Sequence, residues 1–220
     1  MIVRSLPDKF SALIFDMDGT LYTHKGYFEW QESSQVARLA SHLGIQEEEA
    51  AAMMAKEREA RRAAGLPKTS MANLFLGLGR SRGFPIDMTT IIRWREEEIR
   101  PAEWLKADPK LREALTVLAS RFRLCLLTNN PRSVGMESLT ALGVASLFAF
   151  VIGLDDSLES KPSPAPFLKA CAILGLAPSA CVSIGDRMDV DIEPALALGM
   201  GGILVEGVED VYCLPEMLRC

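Results

Sequence analysis

The regular alternation of short apolar runs with helical patterns constrains this chain more than any other feature. Runs at Ala12–Phe15, Arg123–Leu127, 149–153, 181–184 and 202–205 have the length and apolar character of buried strands. Helical spacing of apolar residues appears between the later ones, at 109–121, 133–142, Pro164–Leu174 and 191–198. Strand and helix in alternation predict an α/β fold, a doubly wound parallel sheet with helices on both faces. Right-handed crossovers then gather the C-terminal ends of the strands on one edge, where ligands bind. The residues that follow each apolar run are therefore the candidates for chemistry.

The segment 23–107 interrupts this alternation. It carries no strand pattern, and helical patterns run over 31–43, 47–64, 71–78 and 87–99. A helical block of residues 23–107 inserted after the first strand, with residues 1–22 and 108–220 forming the core, is the expected organisation. Gly65-Leu-Pro-Lys-Thr-Ser70 breaks the helical pattern, and Thr69 or Ser70 can cap the helix that follows. Lys68 and Thr69 stand at that helix N-terminus, where anions are favoured, and are candidates for substrate binding. The charged run at 56–62 reads as a solvated helix face with opposite charges four residues apart.

Composition removes several function classes. A chain of 220 residues can hold one large domain, or a core domain with an insertion. A net charge of -5 argues against a nucleic-acid polymer as partner. No apolar run approaches the length of a membrane span, and the N-terminus lacks a signal-peptide pattern, so no membrane and a cytoplasmic location are expected. The 5 cysteines form no Cys-x-x-Cys pair and read as reduced thiols. With only His24 and His42 present, a His-based metal cluster or a Ser-His-Asp triad is disfavoured.

Four pieces fall on the expected ligand edge. The first is Asp16-Met-Asp18-Gly-Thr20, directly after an apolar run. On a strand, Asp16 and Asp18 point the same way, and two carboxylates that close repel each other unless a cation lies between them. The second is Thr128-Asn129-Asn130 at the end of another run, and the third is Lys161-Pro162 before a helical pattern. The fourth is Gly185-Asp186-Arg-Met-Asp189-Val-Asp191, again acidic residues ending an apolar run.

In order and in strand-end placement these motifs resemble the haloacid dehalogenase superfamily, in its phosphatase branch with a C1-type helical cap. The resemblance implies that Asp16 is the nucleophile forming an aspartyl-phosphate. It implies that Asp18 is the general acid and then the base that activates water. Thr128 donates to the phosphoryl oxygens, Lys161 neutralises charge on the phosphoryl group and on Asp16, and Asn129 orients the phosphate or substrate. Mg2+ is the expected cofactor, held by Asp16, Asp18 through its backbone carbonyl, Asp186 and Asp191. Asp189 is left open, Asn130 reads as a turn residue before Pro131, and Arg187 as a support for its loop.

The expected function is Mg-dependent hydrolysis of a small phosphate ester, by a monomer or weak homodimer. Within the same superfamily, a phosphomutase, a phosphonatase or a dehalogenase stays open, and outside it a non-catalytic binding module. Asp18 followed by Gly-Thr favours phosphoryl chemistry over dehalogenation.

Overall fold

A computed structural model describes residues 1–65 and 69–220 of the chain; Lys68 lies outside the described residues. The chain divides into two compact units, Met1–His24 with Arg100–Cys220, and Lys25–Ile99. It begins with β1 (Ile2–Ser5) and β2 (Ala12–Phe15), then enters the second unit through α1 (Lys25–Leu43), α2 (Glu47–Ala63), α3 (Met71–Arg82) and α4 (Met88–Glu98). It returns to the first unit through α5 (Pro101–Trp104), α6 (Pro109–Ala119), β3 (Arg123–Leu127), α7 (Arg132–Ala141), β4 (Phe148–Ile152), α8 (Leu154–Ser157), α9 (Pro164–Leu174) and β5 (Cys181–Gly185). A π-helical turn at Met188–Ile192, α10 (Glu193–Ala197), β6 (Gly201–Leu204), α11 (Val208–Tyr212) and α12 (Leu214–Met217) complete it.

The first unit is built on a 6-stranded sheet in the order β1-β6-β5-β2-β3-β4. Every neighbouring pair is parallel except β1 with β6. The α/β architecture is as the alternation predicts, with one correction: β1 was not expected, so the insertion follows the second strand. All residues of β1 are exposed, which leaves no apolar run to read. It forms at the edge because β6 supplies partners for its backbone groups. A second correction concerns 191–198, which divides between the π-helical turn and α10. Pro194, in the first turn of α10, has no N–H to carry a continuous ladder across it.

β2 lies between β5 and β3, and its four residues are at most 1% exposed. Ala12 and Ile14 join a core cluster with Cys125, Leu127, Phe167, Ala170 and Leu174. Leu13 and Phe15 turn to the other face. Burying each large apolar side chain contributes about 1.5–3 kcal/mol, enough to hold the strand in place while its end presents carboxylates. The chain runs from β2 outward to β3 and β4 and then returns to β5 on the other side. The crevice at the C-terminal ends of β2 and β5 is thus the topological switch point.

Local signals set the helix ends. Asp108 accepts from Lys110 and Leu111 N–H, both at 3.0 Å, with Pro109 opening α6. Ser163 caps α9, Pro164 opens it, and Gly175 closes it at φ 65°. In the helical unit Ser70, one of the two expected caps, accepts from Asn73 N–H at 3.1 Å. That unit packs Tyr27, Leu39, Met54, Phe75, Leu78, Ile91 and Trp94 inside. In α2, Arg58 reaches Glu32 and Arg62 reaches Glu59 on side chains that are roughly half or more exposed, as a solvated face requires.

Candidate active site

Three strand ends supply the residues. β2 ends at Phe15, and Asp16 continues its ladder by donating its N–H to Ile184 O at 2.8 Å. β3 ends at Leu127, and Thr128 donates its N–H to Ile152 O at 3.0 Å. β5 ends at Gly185, directly before Asp186. Lys161, in the turn before α9, is only 2% exposed although it is a lysine.

Its partners explain that burial. Lys161 Nζ donates to Asp16 Oδ1 and to Asp191 Oδ1, each at 2.6 Å. Burial pushes the ammonium down, but Asp16 and Asp191 push it up by more, so it stays charged. Asn129 fixes the lysine from behind: Lys161 N–H donates to Asn129 Oδ1 at 2.7 Å, and Asn129 Nδ2 donates to Lys161 O at 3.2 Å. Asn129, expected at the substrate, also clamps the lysine backbone through its side chain.

Asp16, Asp186 and Asp191 each present a carboxylate oxygen within 4.8 Å of the others. Burial pushes the Asp186 carboxyl up to about 7, and the charges of Asp16 and Asp191 add to the shift. Close approach depends on glycines. A Cβ on Gly19, where φ is +84°, would stand 2.5 Å from Asp186 Oδ2, and one on Gly185 would stand 2.4 Å from Asp191 Cβ.

The three carboxylates are not equivalent. Both oxygens of Asp191 accept from protein donors, Oδ1 from Lys161 and Oδ2 from Arg187 N–H at 3.1 Å. Ser183 Oγ holds its backbone carbonyl at 2.8 Å. By contrast, Asp16 Oδ2 and Asp186 Oδ1 are buried and have no hydrogen-bond partner among the described residues. Two orphaned carboxylate oxygens in an acidic cluster fit a hard divalent cation, which takes oxygen ligands and offsets the charge that burial makes costly. Arg187 Nε stands 3.9 Å from both Asp186 Oδ1 and Asp191 Oδ2, in keeping with a loop support. Asp189 is outside the cluster.

Asp18 belongs to a second network. Its Oδ1 accepts from the Tyr22 hydroxyl, and its Oδ2 accepts from Asn130 Nδ2 at 3.0 Å. Asn130 N–H in turn donates to Thr128 Oγ1 at 3.0 Å. Sequence reasoning passed over Tyr22 and read Asn130 as a turn residue. The only available signal was position, four residues after Asp18 and two after Thr128. Thr69 stands in the helical unit, next to the Ser70 cap. His24 packs edge-on against Trp104, with centroids 5.7 Å apart.

Comparison with known proteins gives consistent findings. The family model described as haloacid dehalogenase-like hydrolase matches residues 10–199. N-acylneuraminate-9-phosphatase of Rattus norvegicus is 34% identical over 93 residues, 42% of this chain and 38% of that protein. Phosphoglycolate phosphatase of Aquifex aeolicus is 33% identical over 100 residues, 45% of this chain and 46% of that protein. These matches span less than half the length of the curated relatives. The magnesium-bound HAD-hydrolase YfnB of Bacillus subtilis has the same fold, with a TM-score of 0.60 at 18% identity over 97% of this chain and 100% of that one.

Proposed function

The chain belongs to the haloacid dehalogenase-like hydrolases, and on that premise we propose that it is a phosphatase that hydrolyses a small phosphate monoester through a covalent phosphoryl group on Asp16. The observation that carries this reading is the state of Asp16. One oxygen is held by Lys161 at 2.6 Å, and the other is buried without a partner. Lys161 thus orients the Asp16 carboxylate, and the protein leaves it one oxygen open to a ligand, as a nucleophile in a phosphoryl site requires.

A carboxylate oxygen of Asp16 attacks phosphorus, and the bond from phosphorus to the ester oxygen breaks as the bond to Asp16 forms. Asp18 gives a proton to the departing oxygen and then takes one from the water that attacks the phosphoryl-aspartate. Thr128 offers its hydroxyl to the phosphoryl oxygens, and Lys161 offsets the charge that gathers on them. Asp16 and Asp186, with the backbone carbonyl of Asp18, would hold Mg2+, and Asp191 anchors Lys161 beside them. A bound Mg2+ supplies the positive charge that lets an anionic ester approach an acidic cluster. Support for the metal comes from the cluster of Asp16, Asp186 and Asp191 and from the orphaned oxygens within it.

The helical unit, Lys25–Ile99, is proposed as the C1-type cap that excludes water and selects the leaving group, with Thr69 and Lys68 as substrate contacts. The two phosphatase relatives are named for different substrates, so the class proposed is the small phosphorylated metabolite. No helix among the described residues is long and apolar enough to cross a membrane, and a cytoplasmic monomer or weak homodimer is the proposed form.

The test is phosphate release with Mg2+ from a panel of sugar phosphates, phosphoglycolate, glycerol phosphate, nucleoside monophosphates and 4-nitrophenyl phosphate. Selective turnover is expected in the wild type, and background release in Asp16→Asn. A folded Asp16→Asn protein with wild-type turnover would overturn the mechanism.

A further inference from the structure

We propose that Tyr22 and Asn130 are positioning residues that hold the Asp18 carboxyl in place for proton transfer, one on each oxygen. This inference rests on the phosphatase reading and adds to it two residues that the motif resemblance leaves without a role.

The geometry is specific. Asp18 is partly exposed, as a group that must meet substrate and water has to be. Its two donors are not: Tyr22 is 5% exposed and Asn130 is 6% exposed. Bulk water therefore competes little for either donor. A single partner would leave the aspartate carboxyl free to turn about χ2, whereas one donor on each oxygen fixes the carboxyl plane. Hydrogen bonds to an ionised carboxylate are roughly twice as strong as neutral ones.

The donors are themselves held. Gly19 N–H donates to Tyr22 O at 3.1 Å, closing the turn that carries Asp18. Asn130 is tied through its N–H to Thr128 Oγ1 at 3.0 Å and through its carbonyl to Leu154 N–H at 2.9 Å. Thr128, expected at the phosphoryl oxygens, and Asp18, expected at the leaving oxygen, are thereby linked through one residue, by its backbone N–H and its side-chain amide. The two donors also differ in kind. The Asn130 amide nitrogen can only donate, whereas the Tyr22 hydroxyl can donate or accept. Asn130 therefore holds Oδ2 as a donor only, while Tyr22 can hold Oδ1 either way.

A merely structural role for this pair would weaken every substrate alike, so leaving-group dependence separates the two. 4-Nitrophenolate departs without a proton; the alkoxide of glycerol phosphate or phosphoglycolate does not. Tyr22→Phe keeps the ring, and Asn130→Leu keeps the side-chain size without the donor. We expect each to lower kcat for the alkyl ester selected by the panel by ~10–100-fold, with KM and the first-turnover burst of 4-nitrophenol within about threefold of wild type. Phosphoryl-protein, recovered by acid quench, accumulates in the variants because the base step is slowed as well. Equal losses of the burst and of alkyl-ester turnover, or no loss of alkyl-ester turnover, would overturn the assignment. A wild-type protein that releases phosphate from no member of the panel would overturn the phosphatase reading itself, whatever the variants do.

Discussion

Replacing Lys161 by Met removes an ammonium that faces two buried carboxylates, Asp16 and Asp191, each at 2.6 Å. The lysine is 2% exposed, so no water can take its place without repacking. Methionine preserves the apolar stem, so the loss is mainly electrostatic. Breaking a buried ion pair from one side costs about 3–5 kcal/mol, because the remaining charge is left uncompensated. In a chain of this size that lowers the unfolding midpoint by about 6–20 °C. The deficit has a signature that a packing defect lacks. Neutralising a carboxylate should recover part of it, so Lys161→Met with Asp191→Asn should be more stable than Lys161→Met alone. Thermal and urea unfolding at pH 8 without divalent cations measure both effects. A single variant within about 1 kcal/mol of wild type, or a double variant with fully additive losses, would refute the charge argument.

Two further outcomes follow from the acidic cluster. Asp186 has a folded-state pKa raised to about 7, against an ordinary value of 3.8. Between these values the folded chain binds more protons than the unfolded one, so metal-free stability falls as pH rises. Going from pH 5.5 to 8 should cost about 2 kcal/mol from this group; Mg2+, which needs the ionised carboxylate, should recover stability at pH 8, and Asp186→Asn should flatten the profile. Unfolding curves in which metal-free stability climbs with pH would contradict this. Gly185→Ala places a Cβ 2.4 Å from that of Asp191, which should cost about 1–3 kcal/mol and displace Asp191 from Lys161, lowering both the unfolding midpoint and phosphate release. A variant with normal stability and release would show that the cluster can give way.

Much of the core was legible because burial writes a periodic signal into sequence. Ala12–Phe15 and Arg123–Leu127 match their strands residue for residue, since the part of a strand covered on both faces must be apolar, here all of β2 and all of β3 after Arg123. Pro164–Leu174 was equally clear, opened by Pro164 and closed before Gly175. β1 was not legible, because an exposed edge strand is fixed by its partner and not by its own pattern. The π-helical turn at Met188–Ile192 was missed for a similar reason, as it lies where Asp191 is drawn back toward Lys161 and Ser183.

The sequence by itself determined which residues end the strands, and therefore which carboxylates, lysine and threonine share an edge of the sheet. The C-terminal position of each motif follows from local periodicity and from the handedness of crossovers, whereas strand order, with β1 at the edge, came from the tertiary structure. Only the tertiary structure decided what each polar atom faces. It separated Asp191, whose two oxygens each accept from a protein donor, from Asp16 and Asp186, each with an orphaned oxygen. It turned Asn129 onto the Lys161 backbone and brought Asn130 to Asp18 across 112 positions of chain. Hydrogen bonds are directional and act within about 3 Å, and a linear pattern carries no information at that scale between residues so far apart.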